Sequence, residues 1–366
     1  MTVLPRVLPF VLAVLVALGP FAPSAVSAQV RPRRDYWPTV EWRKAGPDRM
    51  GVDREAVRLA GDVIARDLPH VTGLVVVRHG YIVHERYFGD SYGRDDPVNV
   101  RSITKSVIGT LIGIAVAEGK LKLDQTLGEL IPDRIPPEAD PRTREITVRH
   151  LLTMTSGWAW DIGTDYQRLI ASDDWARLTL SLPVVYEPGT FYAYNTGGSH
   201  LLSIILSEVT GQDTADYAQE KLFDPLGIPR PSWQRSPQGK VSGGFGLELT
   251  PRDMAKLGEL YLNEGRWDDQ RIVPASYIRH AISVKSSGDS TGGAQYGYQW
   301  WVTNTDGYHA AFALGFGGQY VYIVPDLDLT VVIAAGFETP PAGFGPPRPV
   351  IENIIVPAVT PSPAAD

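Results

Sequence analysis

The chain has 366 residues, a formal net charge of −7 and no cysteine. A content of 43% hydrophobic and 20% charged residues is typical of a globular protein with a substantial core. The lack of cysteine excludes disulfides, cysteine-ligated zinc and a thiol nucleophile. An acidic chain without a long basic run is not expected to bind nucleic acid or an anionic membrane. No H-x-H or H-E-x-x-H spacing occurs, so we expect neither a metal ion nor another cofactor.

The N-terminus is typical of a secretory signal peptide. Arg6 precedes an apolar run over residues 7–18, and small residues at 26–28 offer a cleavage site. The apolar run is shorter than the roughly 20 residues that a membrane-spanning helix needs. We therefore expect residues 1–28 to be removed and the protein to be secreted or periplasmic, without a stable membrane anchor.

The next elements predict a helix followed by a β-hairpin. Apolar residues recur at helical spacing over Asp53–Asp67. Two β-rich runs follow, Val71–Val77 and Tyr81–Tyr87, and Gly80 between them supplies the positive φ of a tight turn.

Helical patterns dominate residues 100–265. One predicted helix covers Ser199–Val209 and ends at Gly211, and another begins with Thr250 as its N-cap and Pro251 at its first position.

Strand patterns return in the last third of the chain. The β-like runs are Tyr296–Val302, Tyr308–Leu314, Tyr320–Val324 and Leu329–Ala334. This order predicts an α+β fold, in which an antiparallel sheet of N- and C-terminal strands is flanked by helices and interrupted by a mainly helical region. We expect one domain over residues 29–350 and a C-terminal segment, 351–366, with a disordered tail.

The start of one predicted helix carries the first candidate chemistry. Ser102 and Lys105 are three positions apart in the run Val100–Gly113, so their side chains lie on one helix face. Unpaired N–H groups at a helix N-terminus favour developing negative charge. This S-x-x-K spacing is that of an activated serine nucleophile, although a serine N-cap beside a solvated lysine produces the same pattern.

Two other routes to an activated serine are open. The segment Gly288–Gly292 matches G-x-S-x-G with Ser290 at its centre, but its flanking residues are typical of a loop and not of a strand and a helix. A Ser-His-Asp triad could use any of the seven histidines. No sequence context selects one: His79 falls in a turn, and His150 and His200 fall in helical segments.

A tyrosine-rich turn, residues 188–197, leads into the helix that contains Ser199. A phenol has a pKa near 10, and a neighbouring ammonium lowers it toward the range of a useful base. Tyr192 and Tyr194 are therefore candidate partners of Lys105. Packing at the entry of the helix is the alternative for both.

Together these segments resemble the penicillin-recognising serine hydrolases, which comprise class C β-lactamases, their esterase relatives and linear-amide hydrolases. The resemblance covers roughly residues 71–334. The matching segments are Ser102–Lys105, His150–Gly157, Pro188–Thr190, Leu249–Lys256, Tyr296–Trp301 and Gly315–Gln319. Their occurrence in the right order implies the β-lactamase/transpeptidase-like fold.

The resemblance also implies roles for individual residues. Ser102 would attack a carbonyl and form an acyl-enzyme that water hydrolyses, with Lys105 and Tyr194 sharing proton transfer. Tyr194, rather than Tyr192, stands at the family's spacing after the Pro-Gly pair. The oxyanion would be held by the Ser102 N–H and by an N–H of the edge strand near Gly315 and Phe316.

Two positions depart from the family's pattern. The Y-x-N motif reads Tyr194-Asn195-Thr196, so Asn195 either supplies the amide from the neighbouring position or that hydrogen bond is lost. The K-T-G motif reads Ala313-Leu314-Gly315, so the cation that would bind a β-lactam or peptide carboxylate is missing. A charge-assisted hydrogen bond is worth about 1.5–3 kcal/mol, so carboxylate-bearing substrates should lose roughly one to two decades of affinity.

These observations predict an exported serine hydrolase whose partner is a small-molecule ester or simple amide. Two alternatives remain open: a β-lactamase or DD-peptidase, and a non-catalytic binding protein of the cell envelope on the same fold. Trp158, Trp160 and Trp301 either line an apolar acyl pocket or pack in the core.

Overall fold

The computed structural model describes residues 34–89, 92–288, 293–336 and 345–361. The predicted signal peptide, residues 1–28, lies outside these ranges, as do Ser290 and residues 362–366 of the predicted tail. The interpretations of these three segments therefore stay predictions.

An antiparallel sheet lies at the centre of the described structure. The strands, in chain order, are β1 (Val71–Arg78), β2 (Tyr81–Tyr87), β3 (Val98–Asn99), β4 (Glu248–Leu249), β5 (Arg266–Trp267), β6 (Gln270–Arg271), β7 (Gln295–Tyr296), β8 (Trp301–Thr305), β9 (Tyr308–Gly315), β10 (Gln319–Val324) and β11 (Leu329–Ala335). Seven of them pair antiparallel in the order β2-β1-β11-β10-β9-β8-β7. Because β1 pairs with β11, the two ends of the chain form one sheet, and the predicted α+β fold is confirmed.

Most of the helices lie in the chain between β2 and β7, and helices flank the sheet. In chain order they are α1 (Arg54–Asp67), α2 (Ile103–Ala117), α3 (Leu127–Leu130), α4 (Val148–Leu152), α5 (Ile162–Ala171), α6 (Trp175–Leu180), α7 (Thr196–Thr210), α8 (Thr214–Ala218), α9 (Asp224–Leu226), α10 (Pro251–Leu262), α11 (Ala275–Ala281) and α12 (Arg348–Val350). Residues 103–115 of α2 are all buried. A helix that is apolar on every side belongs in the interior, and α2 is therefore the central helix of this domain.

Local signals set several of these boundaries as predicted. Asp53 caps α1 by accepting hydrogen bonds from the backbone of the first turn. Thr250 caps α10, which has proline at its first position. Helix α7 ends at Gly211, whose φ is 69°. The turn between β1 and β2 uses positive φ at both Gly80 and His79, the pair of values that a two-residue hairpin turn needs.

The sheet separates two apolar clusters because alternate side chains of a strand point to opposite faces. Val75 and Val77 of β1 join the cluster that contains α2, α7 and α10. Leu74 and Val76 join the cluster on the other face, which contains α1. Within the described ranges, no helix combines the length and hydrophobicity needed to cross a membrane.

The predicted strand over Tyr296–Val302 is wrong. The chain forms β7 and β8 with a turn over residues 297–300 between them. Tyr298 and Trp300 alternate as in a strand, but both are buried against helices: Tyr298 packs on Tyr277 of α11 and Trp300 on Tyr261 of α10. Gln299 has a φ of 59°, which interrupts the extended backbone.

Candidate active site

Ser102 stands at a strained turn at the start of α2. It is the N-cap residue of this helix, with φ −72° and ψ −5°. Arg101 before it has a left-handed φ of 52°, and its N–H donates to Asn99 Oδ1 at 3.0 Å. A non-glycine residue in this conformation costs about 1–2 kcal/mol, and such strain clusters at functional sites. The strained turn presents Ser102 at the end of the helix.

Lys105 is buried next to Ser102. Its Nζ donates to Ser102 Oγ at 3.1 Å and to the Gly244 carbonyl oxygen at 2.8 Å, and only 1% of the residue is exposed. Burial disfavours the ammonium form and lowers the pKa of Lys105 to about 7. The amine is therefore substantially neutral near pH 7, and a neutral amine can accept the hydroxyl proton of Ser102.

Gly244 is a site residue that the sequence pattern did not reveal. A methyl group on its Cα would lie 2.6 Å from Thr196 Cγ2 and 3.5 Å from Lys105 Nζ. A larger residue would therefore have to displace the start of α7 or approach the lysine. The only local signal is the Gly243-Gly244 pair itself, which does not indicate its distant partner.

Tyr194 lies against Lys105 through the face of its ring. Lys105 Nζ is 5.0 Å from the centroid of the Tyr194 ring, which stacks on Trp301 at 5.6 Å. Tyr192 instead packs against Tyr296, with ring centroids 5.5 Å apart, and against Trp301. The arrangement brings Ser102, Lys105 and Tyr194 together, as the spacing predicted, while the proton-transfer role of Tyr194 stays a prediction.

Asn195 is committed to the start of α7. Its Oδ1 accepts the Gly198 N–H at 2.9 Å, and its own N–H donates to Met154 Sδ at 3.3 Å. Its Nδ2 is buried without a hydrogen-bond acceptor among the described residues. The amide therefore caps the helix through its oxygen, and a substrate-binding role for Asn195 stays a prediction.

The expectation that Gly315 lies on an edge strand is wrong, because β9 lies between β10 and β8. The pairing of β9 with β8 nevertheless ends at Phe312, so the last residues of β9 run beyond β8. Gly315 approaches the segment before Ser102 closely: a methyl group there would lie 2.4 Å from the Val100 carbonyl oxygen. The side chain of Phe316, next along the chain, is 61% exposed.

The three candidate tryptophans occupy different environments. Trp158 is almost fully buried in the core, where its Nε1 donates to Thr143 Oγ1 at 3.3 Å, and it also lines a surface cavity. Trp301 is also buried and stacks on Tyr194. Trp160 is half-buried and lines a surface cavity.

Gln299 is a second residue that sequence reasoning missed, and it ties the site together. Its Nε2 donates to the carbonyls of Leu151 and Leu152 at the end of α4. Its Oε1 accepts from Ser199 in α7, and its carbonyl oxygen accepts from Ser106 in α2, next to Lys105. Gln299 thus connects α2, which carries Lys105, with α4 and with α7, which follows Tyr194.

The histidines named in the triad alternative have structural partners. His79 Nδ1 lies 2.9 Å from Asp328 Oδ2, in the hairpin turn. His150 accepts the Thr147 N–H within the cap of α4, and buried His200 accepts the Gly243 N–H. In the described ranges, no group of three or more metal-ligating side chains is found.

Comparison with known proteins identifies the family of the chain. The family model described as Beta-lactamase matches residues 63–351. The chain is 23% identical to the 6-aminohexanoate-dimer hydrolase of Paenarthrobacter ureafaciens over 88% of this chain and 84% of that protein. It is 28% identical to Esterase EstB of Burkholderia gladioli over 42% of this chain and 44% of the esterase. The solved structure of the octameric penicillin-binding protein homologue from Pyrococcus abyssi aligns with a TM-score of 0.65 and 21% identity, covering 81% of this chain and 75% of that one.

The position of Lys105 predicts a specific pH dependence of activity. With a pKa of about 7, Lys105 accepts a proton as the pH falls and can then no longer take one from Ser102. We expect kcat/KM for p-nitrophenyl butyrate to fall about tenfold per pH unit below about pH 7 and to level off above it. The measurement is a profile from about pH 5 to about pH 9 at constant ionic strength. The control is Lys256→Met, which removes another buried lysine and should leave the profile unchanged. A profile that stays flat below neutral pH would contradict Lys105 as the base.

The same burial predicts a stability difference. The unfolded chain holds a proton on Lys105 up to about pH 10.5, whereas the folded chain loses it near pH 7, so the stability contributed by this site rises with pH across that window. Lys105→Met should therefore raise the free energy of unfolding at pH 7 by roughly 1–3 kcal/mol, and the gain should shrink toward about pH 10. Urea unfolding at both pH values measures it.

Lys256→Met is the matched control for this measurement. Lys256 Nζ donates to the Gly227 carbonyl oxygen at 2.8 Å and lies 3.3 Å from Asp253 Oδ1. Its removal leaves a carboxylate without its cation, so this variant should lose stability. If Lys105→Met instead lowered the free energy of unfolding at pH 7, burial of the amine would not be destabilising.

Proposed function

Because the chain belongs to the Beta-lactamase family, we propose that it hydrolyses a neutral carboxylic ester or simple amide through an acyl-enzyme on Ser102. The relatives named above are a hydrolase and an esterase, which supports hydrolysis in general. The observation that carries the finer proposal is the 3.1 Å contact between Ser102 Oγ and Lys105 Nζ at a buried site.

The reaction would proceed in two halves. In the first, Lys105 Nζ takes the hydroxyl proton while Ser102 Oγ bonds to the substrate carbonyl carbon, and the carbonyl oxygen becomes an oxyanion. Collapse of this intermediate breaks the bond to the alcohol or amine, which leaves with the proton. In the second half, water gives a proton back to Lys105 and attacks the acyl carbon, and the carboxylic acid departs as the Ser102 hydroxyl re-forms.

The oxyanion would lie between two backbone features. One donor would be the Ser102 N–H, because the N–H groups of residues 103–105 already donate to backbone carbonyls. The other would come from the end of β9, which runs beyond its last pair with β8 at Phe312. Preorganised N–H donors of this kind stabilise a tetrahedral intermediate more strongly than water does. Gly315 is suited to this position because its lack of a side chain permits the approach to Val100.

A neutral substrate is favoured because no cation stands at the carboxylate-binding position of the family's pattern. Ala313 occupies it and is buried in the apolar cluster around α2. Without a cation there, a substrate carboxylate would lose a charge-assisted hydrogen bond worth about 1.5–3 kcal/mol. This supports an ester or simple amide over a β-lactam or a peptide with a C-terminal carboxylate.

Hydrolysis of p-nitrophenyl butyrate by the unmodified protein and by Ser102→Ala tests the proposal. Removing the nucleophilic oxygen should reduce kcat by at least about a thousandfold, since no acyl-enzyme can form. Ser290→Ala is the matched control, because it removes the serine of the competing G-x-S-x-G segment and should retain full activity.

Each outcome separates one alternative. Equal turnover by Ser102→Ala with loss in Ser290→Ala would transfer the nucleophile to the Gly288–Gly292 segment. Chromogenic cephalosporin hydrolysis at a rate matching that of esters would restore the β-lactamase alternative. Failure of an organophosphonate probe to label Ser102 in the folded protein would favour a binding protein.

A further inference from the structure

A surface cavity of about 710 Å³ lies beside the candidate active site, and its walls are largely apolar. It is bounded by α5, the end of α6 and residues 181–193. Its principal apolar lining residues are Trp160, Leu178, Leu182, Val185, Tyr186 and Phe191. Cavities of this size accept ligands of drug-like dimensions.

Ser102, Lys105 and Tyr194 do not line the cavity, but residues next to the site in the chain connect it to two of them. Ala193 lines it and is bonded directly to Tyr194, so the two Cα atoms are about 3.8 Å apart. Trp160 lines it as well and packs against the cluster of Leu169, Trp175 and Phe245. Phe245 follows Gly244, whose carbonyl oxygen accepts from Lys105. Tyr194 therefore directly follows a residue of the cavity lining. Gly244, which binds Lys105, directly precedes a residue of the cluster that packs against Trp160.

The rim exposes aromatic surface that the fold does not bury. The Tyr186 and Phe191 rings stack with centroids 3.9 Å apart and an interplanar angle of 15°, yet these residues are 43% and 46% exposed. Val185 beside them is 53% exposed. Aromatic rings left open at the mouth of a concave site are suited to contact an apolar ligand.

The polar groups of the cavity favour one sign of charge. Asp161, Asp165 and Arg168 are its charged lining residues. Arg168 Nη1 lies 2.6 Å from Asp165 Oδ1, so the guanidinium is already neutralised and Asp161 leaves a net negative charge. A carboxylate would be repelled here, and an amine attracted.

We propose that this cavity binds an apolar, preferably aromatic, group of the ester or amide substrate, and that it accepts an amino substituent but not a carboxylate. This inference rests on the proposed hydrolysis at Ser102. The group belongs to the acyl half or the alcohol half of the substrate.

Paired esters test the inference on the intact enzyme. In the acyl series, kcat/KM for p-nitrophenyl 4-phenylbutyrate is compared with that for p-nitrophenyl acetate; in the alcohol series, 3-phenylpropyl acetate is compared with ethyl acetate. Phe191→Ala should lower the aromatic-to-small ratio about threefold to tenfold in the series whose group enters the cavity. Leu59→Ala, which truncates a 49% exposed apolar residue on α1, should change neither ratio. Unchanged ratios in both series for Phe191→Ala would overturn the inference.

A binding measurement separates this inference from the proposed function. Titration calorimetry of the Ser102→Ala variant with 4-phenylbutylamine should give saturable binding that Phe191→Ala weakens, whereas 4-phenylbutyrate should bind at least about fivefold more weakly. Arg168→Gln should widen the gap between the amine and the carboxylate. If no ester is hydrolysed but the amine binds as described, the hydrolase proposal fails and the cavity assignment stands. Equal binding of amine and carboxylate, or no effect of Phe191→Ala on binding, would overturn the charge or the location assigned here.

Discussion

The buried amine of Lys105 is the group around which this structure is arranged. Transferring an ammonium from water to a protein interior is costly, and a pKa lowered from 10.5 to about 7 corresponds to about 5 kcal/mol against the charged form. Among the described residues, its hydrogen-bond partners are the Ser102 hydroxyl and the Gly244 carbonyl oxygen, neither of which carries a charge. Burial thus disfavours the ammonium form of Lys105, and the rest of the domain must supply the free energy that keeps the amine buried.

Packing around α2 supplies that free energy. The helix is buried along residues 103–115 between the sheet and α7, so Lys105 cannot reach solvent without disturbing the core. Gln299 joins α2, α4 and α7 through buried hydrogen bonds, and an unpaired member of such a network would cost about 1–3 kcal/mol. Arg101, Met154 and Gln299 have positive φ values, which are strained for residues other than glycine. The surrounding packing and hydrogen bonds stabilise such conformations.

The charges around the site are consistent with the neutral substrate that we propose. β9 has Ala313 where the family's pattern has a lysine, and the charged residues that line the cavity have a net negative charge. Both features disfavour an anionic substrate for the same electrostatic reason, although they lie on different elements. For such a substrate we expect apolar and aromatic surface, including the exposed Tyr186 and Phe191 rings, to supply most of the binding free energy.

The sequence by itself determined the α+β fold, the pairing of Ser102 with Lys105 and the loss of the cation at Ala313, because periodicity and short motifs are local properties of the chain. The prediction that the protein is exported also rests on sequence alone. Only the tertiary structure decided that the carbonyl oxygen of Gly244, 139 residues beyond Lys105, accepts a hydrogen bond from the amine. The tertiary structure also showed a turn at Gln299 where the sequence predicted a strand, because a positive φ at a non-glycine residue has no local signature. The cavity could not be predicted either, because contacts between residues distant in sequence form it.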